Sequence, residues 1–309
     1  MFVRVSSVVL CLFAIWNGAT AQAGPFSSII AFGDSTTDTG NVYLGSGMTV
    51  PSSPPYFPGR FSNGPNWLDQ FSAATGVGPA IPVLAGGDNY AFGAARSGSG
   101  LALGLIPNVQ TQVGGYLSST MGVADPNALY VIWAGSNDYI GDGQTDPNIP
   151  TTNIAASVQA LASAGATQFM VMNLAPLGET PASITNLNPL QRAALDQLTI
   201  SHNQLLKQKL DLLDTLLPIT IYRPNIYQLF QDVASNPLAY GFTNITNSSL
   251  ADSNFTGAGY LFWDDLHPTS LGHSYIAGVA IASIPEPSTL VLFGIAAVSL
   301  VGYSCRRLR

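Results

Sequence analysis

The sequence predicts an α/β protein of three layers, in which helices cover both faces of a doubly wound parallel sheet of about five strands. Short apolar runs such as Ala128–Ala134 lack the polar alternation of a half-exposed strand. This composition is typical of parallel strands that are buried on both faces. Longer segments such as Thr151–Ala164 repeat their apolar residues at helical spacing. Because the two kinds of segment alternate along the chain, the pattern favours a doubly wound sheet.

Five strands are predicted in chain order, at Ser28–Phe32, Asn89–Phe92, Ala128–Ala134, Gln168–Ala175 and Ile219–Tyr222. The helices with the clearest periodicity are predicted at Thr151–Ala164, capped by Thr152 or Asn153, and at Pro189–Leu217. Segments 45–64 and 243–259 are rich in turn-forming and small polar residues. We predict that both are loops and that they shape the ligand pocket.

The first residues have the pattern of a secretory signal peptide. Arg4 precedes an apolar stretch from Val5 to Trp16, and residues 21–23 form an Ala-x-Ala cleavage site. We therefore predict that residues 1–23 direct export and are removed after Ala23. The alternative is a buried N-terminal strand or helix. The mature domain is then expected to span residues 24–284.

The last residues combine Pro285-Glu286-Pro287, an apolar stretch from Leu290 to Cys305 and a basic end that contains three arginines. These parts in this order resemble the PEP-CTERM sorting signal of Gram-negative bacteria. The resemblance implies that an exosortase-type enzyme recognises residues 285–309 and removes them. A plain membrane anchor is the alternative, and the arginines disfavour a buried core helix. We expect a protein of the cell envelope or extracellular space that is transiently anchored in the membrane.

Composition excludes several classes of function. The only cysteines, Cys11 and Cys305, lie in the two ends, so the mature domain has neither a disulfide nor a thiolate metal site. Residues 24–284 contain six Lys or Arg against sixteen Asp or Glu. An acidic domain without a basic patch is a poor ligand for nucleic acid, and anionic phospholipid surfaces would repel it.

Ser35 follows the first predicted strand in a sharp turn, and its predicted partners come from a distant part of the chain. A serine hydroxyl becomes a nucleophile when a base accepts its proton and a third group orients the base. Asp264 and His267 are three residues apart, so they share a face of a turn. Asp264 can then accept a hydrogen bond from Nδ1 of His267 and leave Nε2 facing Ser35. Asp265 is expected to cap the turn or face solvent.

Two other histidines belong to the mature chain, and neither has a carboxylate at this spacing. His202 is predicted on the surface of the long polar helix. His273 is predicted in the first turn of the last helix. His267 is therefore the candidate base.

Attack by a serine on an ester creates an oxyanion that needs fixed hydrogen-bond donors. The backbone N–H of Ser35, expected at the head of a helix, is one candidate. The side-chain amide of Asn137, which follows the third predicted strand, is the second. The backbone N–H of Gly93 is the third, because glycine permits close backbone approach. Asp38 is expected to be a structural acceptor near the start of the helix.

Four motifs in this order resemble the GDSL, or SGNH, hydrolase family. They are Gly33-Asp34-Ser35 with Asp38, then Gly93, then Asn137, and finally Asp264 with His267. The stretch Gly59–Trp67 is similar to one in lipase-like members, and the resemblance spans about residues 26–280. It implies a flavodoxin-like sheet and an esterase or lipase that forms an acyl-enzyme on Ser35 without cofactor or metal. The chain departs from the family at Thr36, which replaces a leucine, and in reading Gly-Ala-Ala where many members have Gly-Gly-Ala.

Two other functions stay open at this point. An acyltransferase would use the same three residues to deliver an acyl group to a lipid or sugar hydroxyl. A non-catalytic surface protein associated with exopolysaccharide would fit the sorting tail, although such a scaffold has no need of the catalytic side chains. For an esterase, the substrate is expected to be an acyl lipid or an acetylated carbohydrate.

Overall fold

The computed structural model describes residues 26–285. The predicted signal peptide lies outside the described residues, and so does the predicted sorting tail apart from Pro285. Within this part of the chain, no helix combines the length and the apolar character needed to cross a membrane.

The fold contains strands, α-helices and three short 3₁₀ helices in the described range. The strands are β1 Ile29–Gly33, β2 Leu101–Ala102, β3 Ile106–Pro107, β4 Leu129–Trp133, β5 Gln168–Val171, β6 Thr220–Tyr222, β7 Asn244–Ser248 and β8 Tyr260–Phe262. The α-helices are α1 Asn41–Gly45, α2 Trp67–Thr75, α3 Val109–Ser119, α4 Ser136–Ile140, α5 Asn148–Ser163, α6 Pro181–Asn186, α7 Pro189–Leu216, α8 Ile226–Ser235 and α9 Ser270–Ala282. The 3₁₀ helices are Val83–Ala85, Leu177–Glu179 and Pro237–Tyr240.

The central sheet has four parallel strands in the order β1-β4-β5-β6. The remaining described strands form two small pairs, β2 with β3 and β7 with β8. β7 lies inside segment 243–259, which is therefore not entirely a loop. The predicted α/β class with a parallel sheet is confirmed.

The predicted strand 89–92 forms isolated bridges rather than a regular strand, because Asn89 bridges Ala31 of β1 on one side and Pro82 on the other. Tyr90 N–H donates to the carbonyl of Ala31 at 2.7 Å, so the segment runs beside β1 in the place of a fifth strand. Its carbonyl groups on the other side, those of Asn89 and Ala91, accept hydrogen bonds from the side chain of Asn41. The backbone of residues 81–83 pairs with the same edge, because the N–H of Val83 donates to the carbonyl of Asn89 at 2.8 Å and the N–H of Asn89 donates to the carbonyl of Ile81 at 3.0 Å.

Helices cover both faces of the sheet, and alternate strand residues belong to two different cores. Tyr130 and Ile132 of β4 pack in the core formed with α3, α5 and α7. Leu129 and Val131 of the same strand pack in the core formed with α2, α8 and α9. Because both faces are buried, the strand is apolar throughout, as the sequence pattern predicts.

Helix α5 begins at Asn148, three residues before the predicted start. The hydroxyls of Thr151 and Thr152 donate backwards to the carbonyls of Pro147 and Asn148, so these threonines lie within the helix. The predicted caps at Thr152 and Asn153 are therefore wrong. Helix α7 spans almost all of the predicted range.

Candidate active site

Ser35 and Asn137 follow neighbouring strands at the carboxyl edge of the sheet, where ligands bind in folds of this kind. β1 ends at Gly33 and β4 ends at Trp133, and these two residues are partners in the parallel register. A side chain at Gly33 would lie 2.5 Å from the carbonyl oxygen of Trp133. Glycine therefore allows the strands to stay paired up to the point where the chain turns towards Ser35.

Ser35 stands in a single turn between β1 and α1. The N–H groups of Thr37 and Asp38 donate to the carbonyl of Asp34 at 3.0 and 2.9 Å. The expectation that Ser35 heads a helix is wrong, because α1 begins only at Asn41. The N–H of Ser35 has no acceptor among residues 26–285 and is not used by the turn.

The side chains of Ser35, His267 and Asp264 form one continuous hydrogen-bonded chain. Nε2 of His267 lies 2.7 Å from Oγ of Ser35. Nδ1 of the same ring lies 2.8 Å from Oδ2 and 2.9 Å from Oδ1 of Asp264. Because a carboxylate accepts at Nδ1, that nitrogen carries the proton and Nε2 is free to accept from the serine hydroxyl.

The turn 264–267 fixes this geometry through the same carboxylate. Oδ1 of Asp264 accepts the N–H groups of Leu266 and His267 at 2.9 and 2.7 Å. The N–H of Trp263 closes the turn on the carbonyl of His267 at 2.8 Å. Asp265, by contrast, is exposed, as its position in the turn predicts.

Burial and pairing oppose each other in the pKa values of the acid–base pair. Burial favours the neutral form of Asp264, but the His267 ring and the two backbone N–H groups outweigh it and lower the pKa of Asp264 to about 2. Burial likewise lowers the pKa of His267, yet the charges of Asp264 and Asp34 raise it overall. The pair therefore favours an ionised Asp264 beside a histidine that is more basic than usual.

Asp34 is a buried carboxyl group beside this pair, and burial raises its pKa. Its Oδ1 accepts from the N–H and the hydroxyl of Thr36 at 3.1 and 2.7 Å. Thr36 therefore provides a polar partner for Asp34 at the position where the family has leucine.

Two aromatic residues of segment 45–64 contact the acid–base pair, and sequence reasoning missed both. The hydroxyl of Tyr56 donates to Oδ2 of Asp264 at 2.8 Å. The ring of Phe61 packs on the ring of His267, with centroids 5.3 Å apart. The family-like stretch Gly59–Trp67 was the available signal for Phe61. No local pattern indicates that Tyr56 reaches an aspartate 208 positions away.

Asn137 presents its amide at the start of α4, after the turn glycine Gly135. One amide hydrogen donates to the carbonyl of Ala95 at 3.0 Å, which leaves the second hydrogen for another acceptor. The next residue, Asp138, accepts from the N–H and the hydroxyl of Ser97 at 2.9 and 2.6 Å. Asp138 therefore has a structural role, because it attaches the start of α4 to Ser97.

The N–H of Gly93 is already occupied, contrary to its predicted use as an oxyanion donor. It donates to Oδ2 of Asp38 at 3.0 Å, and a side chain here would lie 2.6 Å from Phe61. The next residue, Ala94, has a left-handed φ of 68°, which is uncommon outside glycine. In the described part of the chain, the N–H of Ala94 has no acceptor.

His202 is buried, contrary to the prediction of a surface histidine, with 0% of its area exposed. Its Nδ1 pairs with the hydroxyl of Tyr139 at 2.8 Å, and its ring lies under Gly135, where a side chain would come within 2.8 Å of it. Burial lowers the pKa of His202 to about 3.

His273 is in the first turn of α9 as predicted. It is also buried, and burial lowers its pKa to about 3. Neither ring contacts Ser35.

A cleft opens beside Ser35 and His267. Most of its wall is apolar and comprises Trp133, Ile140, Ala175, Pro176, Leu177, Phe230, Phe262, Leu266, Pro268 and Ile276. Among residues 26–285, no group of three or more His, Cys, Asp and Glu side chains is arranged to hold a metal ion.

Comparisons with known proteins identify the family and related sequences. The family model described as GDSL-like Lipase/Acylhydrolase matches residues 29–278, and the model of the PEP-CTERM protein-sorting motif matches residues 283–308. The chain is 30% identical to a phosphatidylcholine-sterol acyltransferase of Aeromonas hydrophila, over 79% of this chain and 72% of that one. It is 27% identical to a thermolabile hemolysin of Vibrio parahaemolyticus, over 85% of this chain but only 65% of the hemolysin.

Solved structures show a more distant likeness. The crystal structure of Est24, a carbohydrate acetylesterase from Sinorhizobium meliloti, superposes with a TM-score of 0.43 and 15% identity. That superposition covers 82% of this chain and 96% of the other. The family match to residues 29–278 includes the whole parallel sheet and all four motifs of the site. The chain therefore belongs to the GDSL-like lipase/acylhydrolase family and is an ester hydrolase.

Proposed function

We propose that the protein is an exported serine esterase or lipase that forms an acyl-enzyme on Ser35. The observation that supports it best is the unbroken hydrogen-bonded chain from Ser35 through His267 to Asp264. No further side chain intervenes between the hydroxyl and the base, so proton transfer is direct.

His267 accepts the hydroxyl proton at Nε2 as Oγ of Ser35 attacks the ester carbonyl. Asp264 keeps the proton on Nδ1 and stabilises the imidazolium that forms. When the tetrahedral intermediate collapses, His267 returns its proton to the leaving alcohol and the acyl group stays on Ser35. Water then attacks the carbonyl of the acyl-enzyme, with His267 again as base. The carboxylic acid is released, and His267 returns the proton to Oγ of Ser35.

The developing oxyanion takes hydrogen bonds from the N–H of Ser35 and from the second amide hydrogen of Asn137. For the third donor we propose the N–H of Ala94 in place of Gly93. The Gly93 N–H is bonded to Asp38, whereas that of Ala94 is free among residues 26–285. The bond from Asn137 to the carbonyl of Ala95 holds this strained turn beside the amide.

The apolar wall of the cleft favours an acyl chain longer than acetyl. Phe262 and Ile276 are buried side chains in this wall, and Phe230 packs on Phe262 with ring centroids 6.2 Å apart. Transfer of methylene groups from water to such a surface is favourable by about 0.8 kcal/mol each. An acyl lipid is therefore a better candidate than an acetylated carbohydrate.

Export and sorting follow from the two ends of the chain. We propose that residues 1–23 are a signal peptide, that residues 24–284 are the mature hydrolase domain, and that an exosortase-type enzyme acts on residues 285–309. The match to the PEP-CTERM motif supports the last point. The acidic composition supports the expectation that nucleic acid is not a partner.

Hydrolysis of p-nitrophenyl acetate, butyrate and palmitate by the purified protein tests the proposal. We expect activity that rises from acetate to a longer ester and that Ser35→Ala abolishes. Ser99→Ala, which removes an exposed hydroxyl outside the chain of three residues, should retain it. Full activity in Ser35→Ala would refute the acyl-enzyme.

Acyl transfer is the second candidate, because the relative with 30% identity is a phosphatidylcholine-sterol acyltransferase. The same acyl-enzyme would then be attacked by an alcohol instead of water. Product analysis with and without an added long-chain alcohol separates the two reactions. A new ester formed at the expense of free acid identifies a transferase, and free acid alone identifies a hydrolase.

A further inference from the structure

We propose that Tyr56 is a positioning residue that extends the hydrogen-bonded chain of Ser35, His267 and Asp264 to a fourth side chain. The inference rests on the proposed function. It assigns a role to a tyrosine outside the four family motifs, in segment 45–64, which is a predicted pocket loop.

Nδ1 of His267 lies within hydrogen-bond distance of both oxygens of Asp264, and the remaining donors divide between these oxygens. Oδ1 accepts the backbone N–H groups of Leu266 and His267. Oδ2 accepts the hydroxyl of Tyr56 at 2.8 Å and Nδ1 of His267 at 2.8 Å. Within residues 26–285, Tyr56 is the one side chain besides His267 that donates to this carboxylate.

The surroundings hold the tyrosine ring in place. It packs edge-on against the buried indole of Trp263, with centroids 6.1 Å apart and planes at 87°. Farther along the same segment, the buried hydroxyl of Ser62 donates to the carbonyl of Pro268 at 2.9 Å. Oδ1 of Asn63 accepts the N–H of Ser270 at 2.8 Å. Segment 45–64 is thus attached on both sides of His267, and Tyr56 meets Asp264 in a fixed orientation.

Tyr56 acts through Asp264 and not through the substrate. It does not line the cleft beside Ser35; it lies with Asp264 around an adjoining surface depression, on the other side of Leu266 and His267, which line both. Burial and the negative charge of Asp264 raise the pKa of Tyr56, so its hydroxyl stays protonated and remains a donor. Loss of this hydroxyl should therefore lower kcat and leave KM unchanged.

The Tyr56 hydroxyl and the His267 ring both donate to the negatively charged carboxylate of Asp264. When it is removed, the carboxylate interacts more strongly with the imidazolium, and the pKa of His267 should rise. The other titratable groups near the pair are Asp34 and His273 beside His267, and Asp265 near Tyr56. None of these changes when Tyr56 is replaced by phenylalanine.

The test compares Tyr56→Phe with Tyr260→Phe in the complete protein. Both changes remove one hydroxyl and one tyrosine-to-aspartate hydrogen bond, because Tyr260 donates to the exposed Asp252 at 3.0 Å. Phenylalanine keeps the contact of residue 56 with Trp263. Two quantities are measured: the kcat and KM for p-nitrophenyl butyrate, and the titration of the His267 ring by NMR.

We expect kcat of Tyr56→Phe to fall roughly tenfold or more, as for a misplaced catalytic group, with KM unchanged. The titration midpoint of His267 should move upwards, while Tyr260→Phe behaves as wild type. A His267 midpoint that is unchanged or lower overturns the proposal, as does an unchanged kcat. The NMR titration needs no turnover, so a wild type without esterase activity would refute the proposed function and still leave Tyr56 testable.

Discussion

The backbone N–H of Gly93 donates to Oδ2 of Asp38 at 3.0 Å, and this bond connects the end of segment 89–92 to the turn that presents Ser35. The same carboxylate accepts the N–H groups of Gly40, Asn41 and Val42 at 2.7, 2.6 and 3.1 Å. Asp38 is fully buried. One side chain thus satisfies four backbone donors from two segments and determines which neighbouring N–H stays free for the substrate.

Replacement of Asp38 by asparagine should destabilise the fold. The new amide group would place its own N–H donors against backbone donors, and a buried unpaired donor costs about 1–3 kcal/mol. We expect the free energy of unfolding in urea to fall by at least about 2 kcal/mol on this basis. Asp252→Asn, at an exposed carboxylate, is the matched control and should change little. Equal stability of the two variants would contradict the role assigned to Asp38.

The amide of Ala94, and not that of Gly93, should respond when a tetrahedral adduct forms. Diethyl p-nitrophenyl phosphate would phosphorylate Ser35 and place an oxygen where the oxyanion forms. In the ¹⁵N-labelled protein, a new hydrogen bond to the phosphoryl oxygen should move the proton resonance of the Ala94 N–H downfield. The Gly93 resonance should change little, because its bond to Asp38 persists.

The adduct itself provides the control for this experiment. Mass spectrometry must show one phosphoryl group on wild type and none on Ser35→Ala; a wild type that is not modified refutes the acyl-enzyme proposal instead. Ala94→Gly should keep the response and gain about 1 kcal/mol of stability, because glycine adopts the left-handed conformation without the Cβ penalty. A shift at Gly93 alone would restore the original assignment.

The sequence predicts the parallel sheet well because buried parallel strands are apolar on both faces, and β4 is the clearest case. It does not predict that segment 89–92 stays irregular, since the outer edge of this segment is shared between the side chain of Asn41 and the backbone of residues 81–83, contacts that only the tertiary fold creates. The misplacement of His202 was avoidable. Together with Leu206, Leu210 and Leu213 it follows helical spacing, and these four residues share the buried face of α7.

The site was predictable where its chemistry lies in short motifs. Asp264 and His267 are close in sequence, so their pairing could be inferred from spacing alone. Tyr56 and Phe61 reach the same pair from about 200 positions away, and only the tertiary fold brings them there. Which backbone N–H groups donate to Asp38 is likewise determined by packing. The sequence alone therefore does not reveal that the N–H of Gly93 is occupied.

The pH dependence of kcat/KM should reflect the deprotonation of His267. Its pKa lies above the ordinary 6.5, because the attraction of Asp264 and Asp34 exceeds the effect of burial. The neutral ring is the base, so activity should rise with pH through a midpoint above 6.5. Asp264, with a pKa of about 2, stays ionised throughout this range.

Asp264→Asn tests the electrostatic origin of that midpoint. Loss of the carboxylate should reduce kcat by roughly 10³- to 10⁴-fold, as in other enzymes with this arrangement. The midpoint of any residual activity should move to lower pH. Asp265→Asn removes the same charge from the exposed neighbour and is the matched control. If both variants shifted the midpoint equally, the general negative charge of the region, and not the paired carboxylate, would set the pKa of His267.

Acid should destabilise the fold through His202. The folded protein holds this ring neutral down to a pKa of about 3, whereas the unfolded chain takes up a proton near 6.5. Below 6.5 the unfolded state therefore binds more protons, and the free energy of unfolding falls by up to about 1.4 kcal/mol per pH unit and per group. His273 contributes in the same direction, and His267, whose pKa is raised, in the opposite one.

His202→Gln keeps an acceptor for Tyr139 but removes the titration, so urea unfolding between about pH 5 and 7 should show a shallower slope than wild type. Tyr139→Phe breaks the same hydrogen bond without removing the titratable ring, so it should lower stability while keeping the wild-type slope. Equal slopes in wild type and His202→Gln would show that His202 takes up its proton to the same extent in the folded and unfolded states, which would contradict its lowered pKa.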